Sequence, residues 1–349
     1  MTDVLIVNAS APDPACIERA AERLRAGGLV AFPTETVYGL GAHALDGDAV
    51  RRIFAAKGRP ATDPLIVHIS AFEDLGPLVT RLPPAAEALA RRFWPGPLTL
   101  VLQRSRRVPL DVTAGGETVG VRVPAHPVAQ ALLRAAGIPV AAPSANLFSR
   151  PSPTRADHVL HDLDGRIDLL LDGGATDIGV ESTVLDLTAS TPVVLRPGAV
   201  TLEMLRPFVP DVVLAHARGH SLDGPARSPG MLDRHYSPQA PLTLYEGPQR
   251  EVIERMLLDA REILEGGQHV GVLVPDEAAA AFEASGLTVA RMGSSHDLAA
   301  IAVRLYAALR ELDGAGVDVI LASSVAYNDG LGGAIKDRLR RAAGRIVAT

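Results

Sequence analysis

Short apolar runs alternate with stretches of helical periodicity along most of the chain, and this alternation restricts the fold more than any other feature. Nine short apolar runs predict strands, and they lie at residues 4–7, 29–32, 65–69, 98–102, 119–123, 140–142, 169–171, 183–187 and 193–195. Those at residues 65–69, 98–102, 119–123 and 140–142 are bounded by proline or glycine, which is typical of buried strands. Helical periodicity lies at residues 48–57, 84–94 and 128–136, and in a stretch with Asp13 as its predicted N-cap. The alternation predicts a mixed α/β domain.

The alternation stops between residues 207 and 241, where Pro, Gly, His, Arg and Ser accumulate, and then resumes. The later part predicts strands at residues 242–245, 270–274, 287–290 and 317–321, and helices at residues 251–265, 276–284, 298–312 and 333–343. A chain of 349 residues is longer than one hydrophobic core usually supports. We therefore predict an α/β domain over residues 1–200, a linker over residues 201–240, and a smaller three-layer Rossmann-like α/β domain over residues 241–349.

Charge and cysteine content exclude several classes of protein. The net charge of -6 argues against a general binder of nucleic acid or anionic membranes. The single cysteine, Cys16, permits neither an internal disulfide nor a cysteine-based zinc site. No apolar stretch approaches the roughly 20 residues of a membrane-spanning helix, and the first ten residues lack a basic n-region, so we expect a cytoplasmic protein.

Lysine is so rare in this chain that its positions are informative. All but two of the 34 basic residues are arginine, and the two lysines are Lys57 and Lys336. Lys57 ends a predicted helix and is followed by Gly58, Arg59 and Pro60, which we interpret as a rigid, exposed positive corner suited to a polyphosphate. A helix C-terminus with ordinary basic residues explains the same string equally well.

Other polar groups follow predicted strands. Residues 33–41 put hydroxyls, a carboxylate and glycines into what we expect to be a strand-end loop; their spacing is only a weak dinucleotide fingerprint. Ser144 and Asn146 follow another strand, where a plain turn is the simpler interpretation of that string alone. Arg122 lies inside one apolar strand and Arg196 closes another, and a buried arginine needs an anionic partner, either a structural carboxylate or a ligand.

Taken together, these strings closely resemble the YrdC-like family. The resemblance covers residues 33–41, 57–60, 64–69, 94–100, 119–124, 142–146, 181–183 and 195–198, in the expected order. Residues 228–231 and 234–238 resemble the connector of its two-domain branch, the L-threonylcarbamoyladenylate synthases, and the Gly330-Leu331-Gly332 turn resembles its C-terminal domain. The resemblance implies a YrdC-like twisted mixed-sheet catalytic domain, followed by a linker that acts as an active-site lid.

The resemblance also implies roles for individual residues. The family's Lys–Arg–Ser–Asn signature corresponds to Lys57, Arg59, Ser144 and Asn146. The positions that would hold L-threonine are Thr36, His68, Arg122, Ala142 and Ser182. The positions that would hold ATP are Arg59, Asp63, Thr118, Ser144, Ser152, Arg196 and Tyr236, with Tyr236 on the lid.

The reaction that the resemblance implies is a nucleotidyl transfer. A carbamate formed from L-threonine and bicarbonate-derived carbon dioxide attacks the α-phosphorus of ATP, and pyrophosphate leaves. Mg²⁺ carried by ATP is the expected cofactor, with no metal ligands from protein side chains and no organic cofactor. The adenylate would pass to a tRNA-modifying transferase complex; contact with RNA is compatible with this but not required. His68 acting as a base on the amine is an alternative that we leave open.

Two positions depart from the family pattern, and two other functions remain as alternatives. Glu35 stands where Asp is frequent, and Asp63 occupies a position that is often basic or amide, where an anion should weaken phosphate binding unless it faces a metal ion. One alternative is an RNA-binding or ribosome-associated YrdC-like module, which the acidic net charge disfavours. The other is a carbamoyltransferase of the hydrogenase-maturation type, whose cysteine-rich zinc modules one cysteine cannot supply.

Overall fold

The computed structural model describes residues 1–215 and 235–349, which form two compact units. The first unit comprises Met1–Phe148, Pro153–Asp177 and residues 181–215, and the second comprises Ser149–Ser152, Ile178–Val180 and residues 235–349. The linker residues Ser228 to Met231 and Arg234, which carry part of the resemblance, lie outside the described residues.

The first unit alternates strands and helices much as the apolar runs predict. Its strands are β1 Asp3–Ile6, β2 Val30–Pro33, β3 Tyr38–His43, β4 Ile66–His68, β5 Leu98–Gln103, β6 Thr118–Arg122, β7 Val140–Ala141, β8 Leu169–Asp172, β9 Thr183–Asp186, β10 Val193–Arg196 and β11 Val213–Leu214. Its α-helices are α1 Pro14–Arg25, α2 Gly47–Lys57, α3 Pro84–Phe93, α4 Leu110–Thr113, α5 Pro127–Ala136, α6 Ala156–Leu163 and α7 Leu202–Leu205, with a 3₁₀ helix over Phe72–Leu78.

Local signals set the start of α1 and the end of α2, as the sequence predicts. Asp13 caps α1, because its carboxylate accepts a hydrogen bond from the backbone N–H of Ala15. Gly58 ends α2 with a φ of 63°, a left-handed conformation that glycine adopts without a steric penalty. This C-cap places Lys57 in the last turn of α2 and turns the chain at once toward Arg59.

The strands of the first unit form one mixed sheet. Within the described residues its order is β1-β8-β2-β3-β7-β4-β6-β5-β9-β10-β11. Apolar side chains cover both faces, since Ala31 of β2 belongs to one core cluster whereas its neighbours Val30 and Phe32 belong to another. The parallel pair β4 and β6 is central to the site, because its register puts His68 beside Arg122.

The second unit is a parallel α/β sheet. Its strands are β12 Leu242–Glu246, β13 Val270–Val274, β14 Thr288–Arg291, β15 Val319–Ser323 and β16 Arg345–Ala348, in the order β14-β13-β15-β12-β16. Its helices are α8 Gln249–Glu265, α9 Asp276–Glu283, α10 Leu298–Gly314 and α11 Gly330–Ala342. The mixed first sheet and the separate parallel sheet confirm the predicted fold class. None of the helices within residues 1–215 and 235–349 combines the length and the apolar composition needed to cross a bilayer.

Two sequence-based expectations about local structure were wrong, and two short strands were not predicted. Residues 33–41 are not one loop, because Gly39 and Gly41 lie in β3, which forms a hairpin with β2. Gly330 to Gly332 begin α11 instead of forming a separate turn. The region after residue 207 contains the short strand β11, and the chain adds β16 after its last predicted helix, because pairing partners make strands of segments too short to be recognised alone.

Candidate active site

His68 and Arg122 end two adjacent strands, and the site is built around them. In the parallel register of β4 and β6, Ile66 aligns with Gly120, Val67 with Val121, and His68 with Arg122. Both side chains are buried, with 4% of each residue exposed. Buried polar side chains at the carboxyl ends of parallel strands are the usual setting of a ligand site in an α/β sheet.

Three contacts hold the guanidinium group of Arg122. Its Nε donates to the carbonyl oxygen of Gly96 at 3.1 Å, one terminal nitrogen donates to Thr36 Oγ1 at 3.0 Å, and the other donates to Glu35 Oε1 at 2.6 Å. A guanidinium group has five N–H donors, so this arrangement leaves donor capacity for a further acceptor. The sequence-based expectation of an anionic partner is met by Glu35, which forms a buried ion pair with Arg122.

The loop between β2 and β3 supplies both Glu35 and Thr36. Thr34 shapes this loop, because its hydroxyl donates to the carbonyl oxygen of Val37 at 2.6 Å and lies 2.8 Å from the hydroxyl of Thr36. The second carboxylate oxygen of Glu35 accepts from the backbone N–H of Ala125 at 3.0 Å. The loop is therefore closed by Thr34 and tied to Ala125 through Glu35, and in this conformation Thr36 contacts Arg122.

His68 is kept neutral by its surroundings. Burial, with a smaller contribution from the charge of Arg122, lowers its pKa to about 3. Its Nδ1 is buried and has no hydrogen-bond partner among the residues that the structure describes. A neutral imidazole with an unused ring nitrogen can accept or donate one hydrogen bond, whereas its low pKa makes it a weak base at neutral pH.

Lys57 is buried and anchors the loop that follows β7. Its Nζ donates to the carbonyl oxygen of Ser144 at 2.6 Å and to that of Asn146 at 2.5 Å. Only 2% of Lys57 is exposed, so the expectation of an exposed corner was wrong for this residue. These contacts join Lys57, Ser144 and Asn146, three of the four signature residues. Ala142 begins the same loop, and its N–H donates to the carbonyl oxygen of Ile66.

Arg59 is also buried and is held by its own loop. Its Nε donates to the carbonyl oxygen of Asp63 at 3.2 Å, and a terminal nitrogen donates to that of Pro64 at 2.8 Å. The same terminal nitrogen forms an ion pair with the carboxylate of Asp63 at 2.9 Å. The expected exposed corner is thus a buried cation with a buried anion beside it.

Arg196 connects the two groups of residues that the sequence assigned to different substrates. Its Nε donates to the carbonyl oxygen of Ser182 at 3.1 Å, and a terminal nitrogen donates to the hydroxyl of Ser182, also at 3.1 Å. The hydroxyl of Thr99 lies 2.8 Å from the same Ser182 oxygen. Gly198 permits this packing, because a Cβ there would come within 2.5 Å of the backbone nitrogen of Thr183.

Three expected site residues lie away from this cluster or in the other unit. Thr118 begins β6, and the strand rise of about 3.3 Å per residue puts roughly 13 Å between its Cα and that of Arg122. Ser152 is fully buried and belongs to the second unit. Tyr236 also belongs to the second unit, where its ring lies 5.6 Å from that of Tyr306 and 5.3 Å from the guanidinium carbon of Arg338. Their roles toward ATP stay predictions.

The sequence analysis missed two side chains of the cluster. Glu35 was noted only as a departure from a pattern, although a carboxylate beside hydroxyls in a strand-end loop is a natural partner for a buried arginine. Thr99 gave no usable signal, because a threonine in an apolar strand is ordinary and its contact with Ser182 arises between neighbouring strands.

The arrangement can bind anions without a protein nucleophile. Lys57, Arg59, Arg122 and Arg196 are four buried cations, and neutral hydroxyl and amide groups lie among them. Within residues 1–215 and 235–349 no group of three or more His, Cys, Asp or Glu side chains could hold a metal ion. Such a site suits binding and orientation of phosphates and a carboxylate, with charge neutralisation as its main chemical effect.

Comparisons with known proteins match both halves of the chain. The Sua5/YciO/YrdC family model, described as "Telomere recombination", matches residues 22–198, and the Sua5 C-terminal model, described as "Threonylcarbamoyl-AMP synthase, C-terminal domain", matches residues 200–344. The chain is 49% identical to a threonylcarbamoyl-AMP synthase of Pyrococcus abyssi (strain GE5 / Orsay) over 95% of each sequence. It is 47% identical to one of Bacillus subtilis (strain 168), over 99% of this chain and 97% of the relative.

A solved structure agrees with these sequence matches. The structure described as P. abyssi Sua5 complexed with L-threonine superposes with a TM-score of 0.93 at 47% identity and covers all of both chains. The similarity therefore extends over both units and includes the region of the site.

Proposed function

Since the chain belongs to the Sua5/YciO/YrdC family, in the form that also carries the Sua5 C-terminal domain, we propose that it is a threonylcarbamoyl-AMP synthase. Relatives with this name match nearly the whole chain at 47–49% identity. This favours a synthase over the two alternatives, an RNA-binding module and a carbamoyltransferase.

The observation that carries the assignment to this site is the contact of Arg196 with Ser182. We place L-threonine against Arg122, Thr36, His68, Ala142 and Ser182, and the triphosphate against Lys57, Arg59, Ser144, Asn146 and Arg196. The two sets meet at one hydroxyl, since Arg196 donates to Ser182 Oγ at 3.1 Å. This contact supports adjacent binding of the two substrates, which the reaction requires because the attacking group must lie within about 3–3.5 Å of the phosphorus.

The proposed reaction proceeds in two stages. The amine of L-threonine adds to carbon dioxide derived from bicarbonate, and a carbamate forms. A carbamate oxygen then attacks the α-phosphorus of ATP; the bond to the pyrophosphate oxygen breaks, and a threonylcarbamoyl-adenylate remains. The side chains of this chain orient the reactants and neutralise charge: Arg122 holds the threonine carboxylate, and Arg59 and Lys57 act at the phosphate side.

The metal ion and the later partners belong to the same proposal. Mg²⁺ enters with ATP as the counter-ion of the triphosphate and supplies further charge neutralisation when bound. The adenylate would be used by a tRNA-modifying transferase complex, in the cytoplasm. His68 most simply serves as a neutral hydrogen-bonding group for threonine, because its depressed pKa disfavours a role as base.

The test is pyrophosphate formation with each amino acid in turn. Full-length protein is mixed with ATP, Mg²⁺ and bicarbonate, and pyrophosphate is measured after addition of L-threonine, L-serine, L-valine or another single amino acid. We expect L-threonine to give the fastest release, and removal of bicarbonate to abolish it. Release that is independent of threonine, or that another amino acid drives equally well, would contradict the proposal.

A further inference from the structure

Asp63 is a buried carboxylate in the middle of the cations that the proposed function assigns to ATP. It is fully buried and closes a tight turn, in which its N–H donates to the carbonyl oxygen of Pro60 at 3.2 Å. Its carboxylate lies 2.9 Å from a terminal nitrogen of Arg59. A carboxylate in this position occupies space and charge that an anionic ligand would also use.

Three cations face Asp63 from three different elements. Burial raises its pKa most strongly, and the charges of Arg59, Lys57 and Arg196 lower it. Arg59 lies in the loop after α2, Lys57 in the last turn of α2, and Arg196 at the end of β10. Among the charged groups of the described residues, these are the ones whose electrostatic influence reaches Asp63.

The carboxylate is held by charge more than by hydrogen bonds. Neither of its oxygens has a hydrogen-bond donor in the described part of the chain, because the contact with Arg59 has the distance of an ion pair without the geometry of a hydrogen bond. The guanidinium group of Arg59 is instead hydrogen-bonded to the carbonyl oxygens of Asp63 and Pro64. Arg59 would therefore keep its place if the charge of Asp63 were lost.

We propose that Asp63 is a built-in competitor of the triphosphate: its carboxylate balances the cations while ATP is absent, and it takes up a proton from solvent when ATP binds. The inference rests on the proposed function and adds to it a residue that sets the affinity for ATP and its dependence on pH. A triphosphate at the same cations brings negative charge next to a buried carboxylate, and like charges in a buried site favour the protonated form of the weaker acid. ATP binding is consequently coupled to proton uptake, and the affinity for ATP rises as pH falls.

Calorimetry on the full-length protein tests this coupling. ATP with Mg²⁺ is titrated into the enzyme without threonine, in two buffers of different ionisation enthalpy at the same pH, so that the number of protons taken up is obtained. Asp63→Asn keeps the size of the side chain and removes its charge. We expect this variant to bind ATP roughly tenfold more tightly, because it carries no negative charge next to the triphosphate, and to take up fewer protons.

A matched control separates local from general charge effects. Asp48→Asn makes the same change of net charge at an exposed carboxylate of α2. We expect it to bind ATP with the affinity of the wild type and to take up the same number of protons on binding. If Asp63→Asn does not fold, the wild type alone decides the question. Proton uptake beyond what the titration of ATP itself explains supports the inference, and the absence of such an excess would overturn it.

The possible results separate the inference from the function. Equal affinity and equal proton uptake in the wild type and Asp63→Asn, with normal threonine-dependent pyrophosphate release, would overturn the inference alone. Weaker binding of Asp63→Asn that appears only with Mg²⁺ would also overturn it and make the carboxylate a metal ligand. Failure of both proteins to bind ATP would overturn the proposed function as well.

Discussion

Glu35 and Arg122 form an ion pair in which both side chains are buried, with 2.6 Å between Glu35 Oε1 and the donating guanidinium nitrogen. The other oxygen of Glu35 accepts from the N–H of Ala125, so the carboxylate cannot turn away without losing a second contact. Arg122 therefore has a fixed orientation before any substrate arrives. In the proposed function, a threonine carboxylate would meet a positioned fork whose charge is already partly balanced, and its binding would depend on geometry as well as on net attraction.

Replacement of Arg122 should affect threonine far more than ATP. In the proposed function Arg122 donates charge-assisted hydrogen bonds to the threonine carboxylate. Because Arg122→Ala would remove them, we expect the KM for threonine to rise roughly 10- to 100-fold. Steady-state pyrophosphate release gives both KM values. Arg122→Lys keeps the charge but not the planar fork and should recover only part of the loss. An equal rise of the two KM values would contradict the carboxylate role.

Replacement of Glu35 should reveal its positioning role. Glu35→Gln leaves Arg122 buried without its anionic partner, and we expect the protein to lose about 3–5 kcal/mol of unfolding free energy and to bind threonine more weakly. Denaturant unfolding and threonine titration measure the two effects. Glu35→Asp, which restores the charge on a shorter side chain, should recover most of the threonine affinity. Failure of Glu35→Asp to do better than Glu35→Gln would show that the charge is not what matters.

Lys57 should be required for the phosphate side of the reaction. Lys57→Ala removes the ammonium group and releases the carbonyl oxygens of Ser144 and Asn146, so the loop after β7 loses its anchor. We expect threonine-dependent pyrophosphate release to fall to background, and the same for Arg59→Ala. Lys336→Ala is the matched control, since the other lysine of the chain contacts Asn328 and Glu246 within the second unit. Unchanged turnover in Lys57→Ala would remove Lys57 from the site.

Acid should destabilise the protein through His68. Its pKa falls from an ordinary 6.5 to about 3 on folding, so the unfolded state binds the proton more readily. The contribution of neutral His68 to the free energy of unfolding is therefore fully present above about pH 6.5 and is lost as pH falls toward 3. In His68→Gln the unfolding free energy should change less over this interval. Identical pH dependence of stability in both proteins would mean that His68 titrates normally in the folded state.

Thr99 should act on both substrates through Ser182. Thr99→Val has nearly the same shape and removes the hydroxyl that lies 2.8 Å from Ser182 Oγ. Because Ser182 also accepts from Arg196, we expect KM to rise for threonine and for ATP by a similar factor, roughly 3- to 10-fold, which corresponds to about 1 kcal/mol. Thr99→Ser should restore the wild-type values. A change confined to stability, with both KM values unaltered, would leave Thr99 a purely structural residue.

The sequence by itself determined the elements and most of the residue types in the site. Apolar runs located most of the central strands, with the exception of β3, and the glycine after Lys57 predicted the end of α2. Both signals are local properties of a few neighbouring residues. Composition excluded disulfides and cysteine-based zinc sites in the same direct way. The rarity of lysine drew attention to Lys57 without any knowledge of the fold.

Only the tertiary structure decided which of these residues meet and what charge each one faces. Lys57 and Arg59 were expected to be exposed but are buried. Lys57 contacts carbonyl oxygens of Ser144 and Asn146, which lie more than eighty residues later in the chain, whereas Arg59 is held by Asp63 and Pro64 of its own loop. Glu35, Asp63 and Thr99 became meaningful through contacts with Arg122, Arg59 and Ser182. A sequence pattern records local conformational preference, whereas burial and pairing depend on long-range sheet register, which no local pattern contains.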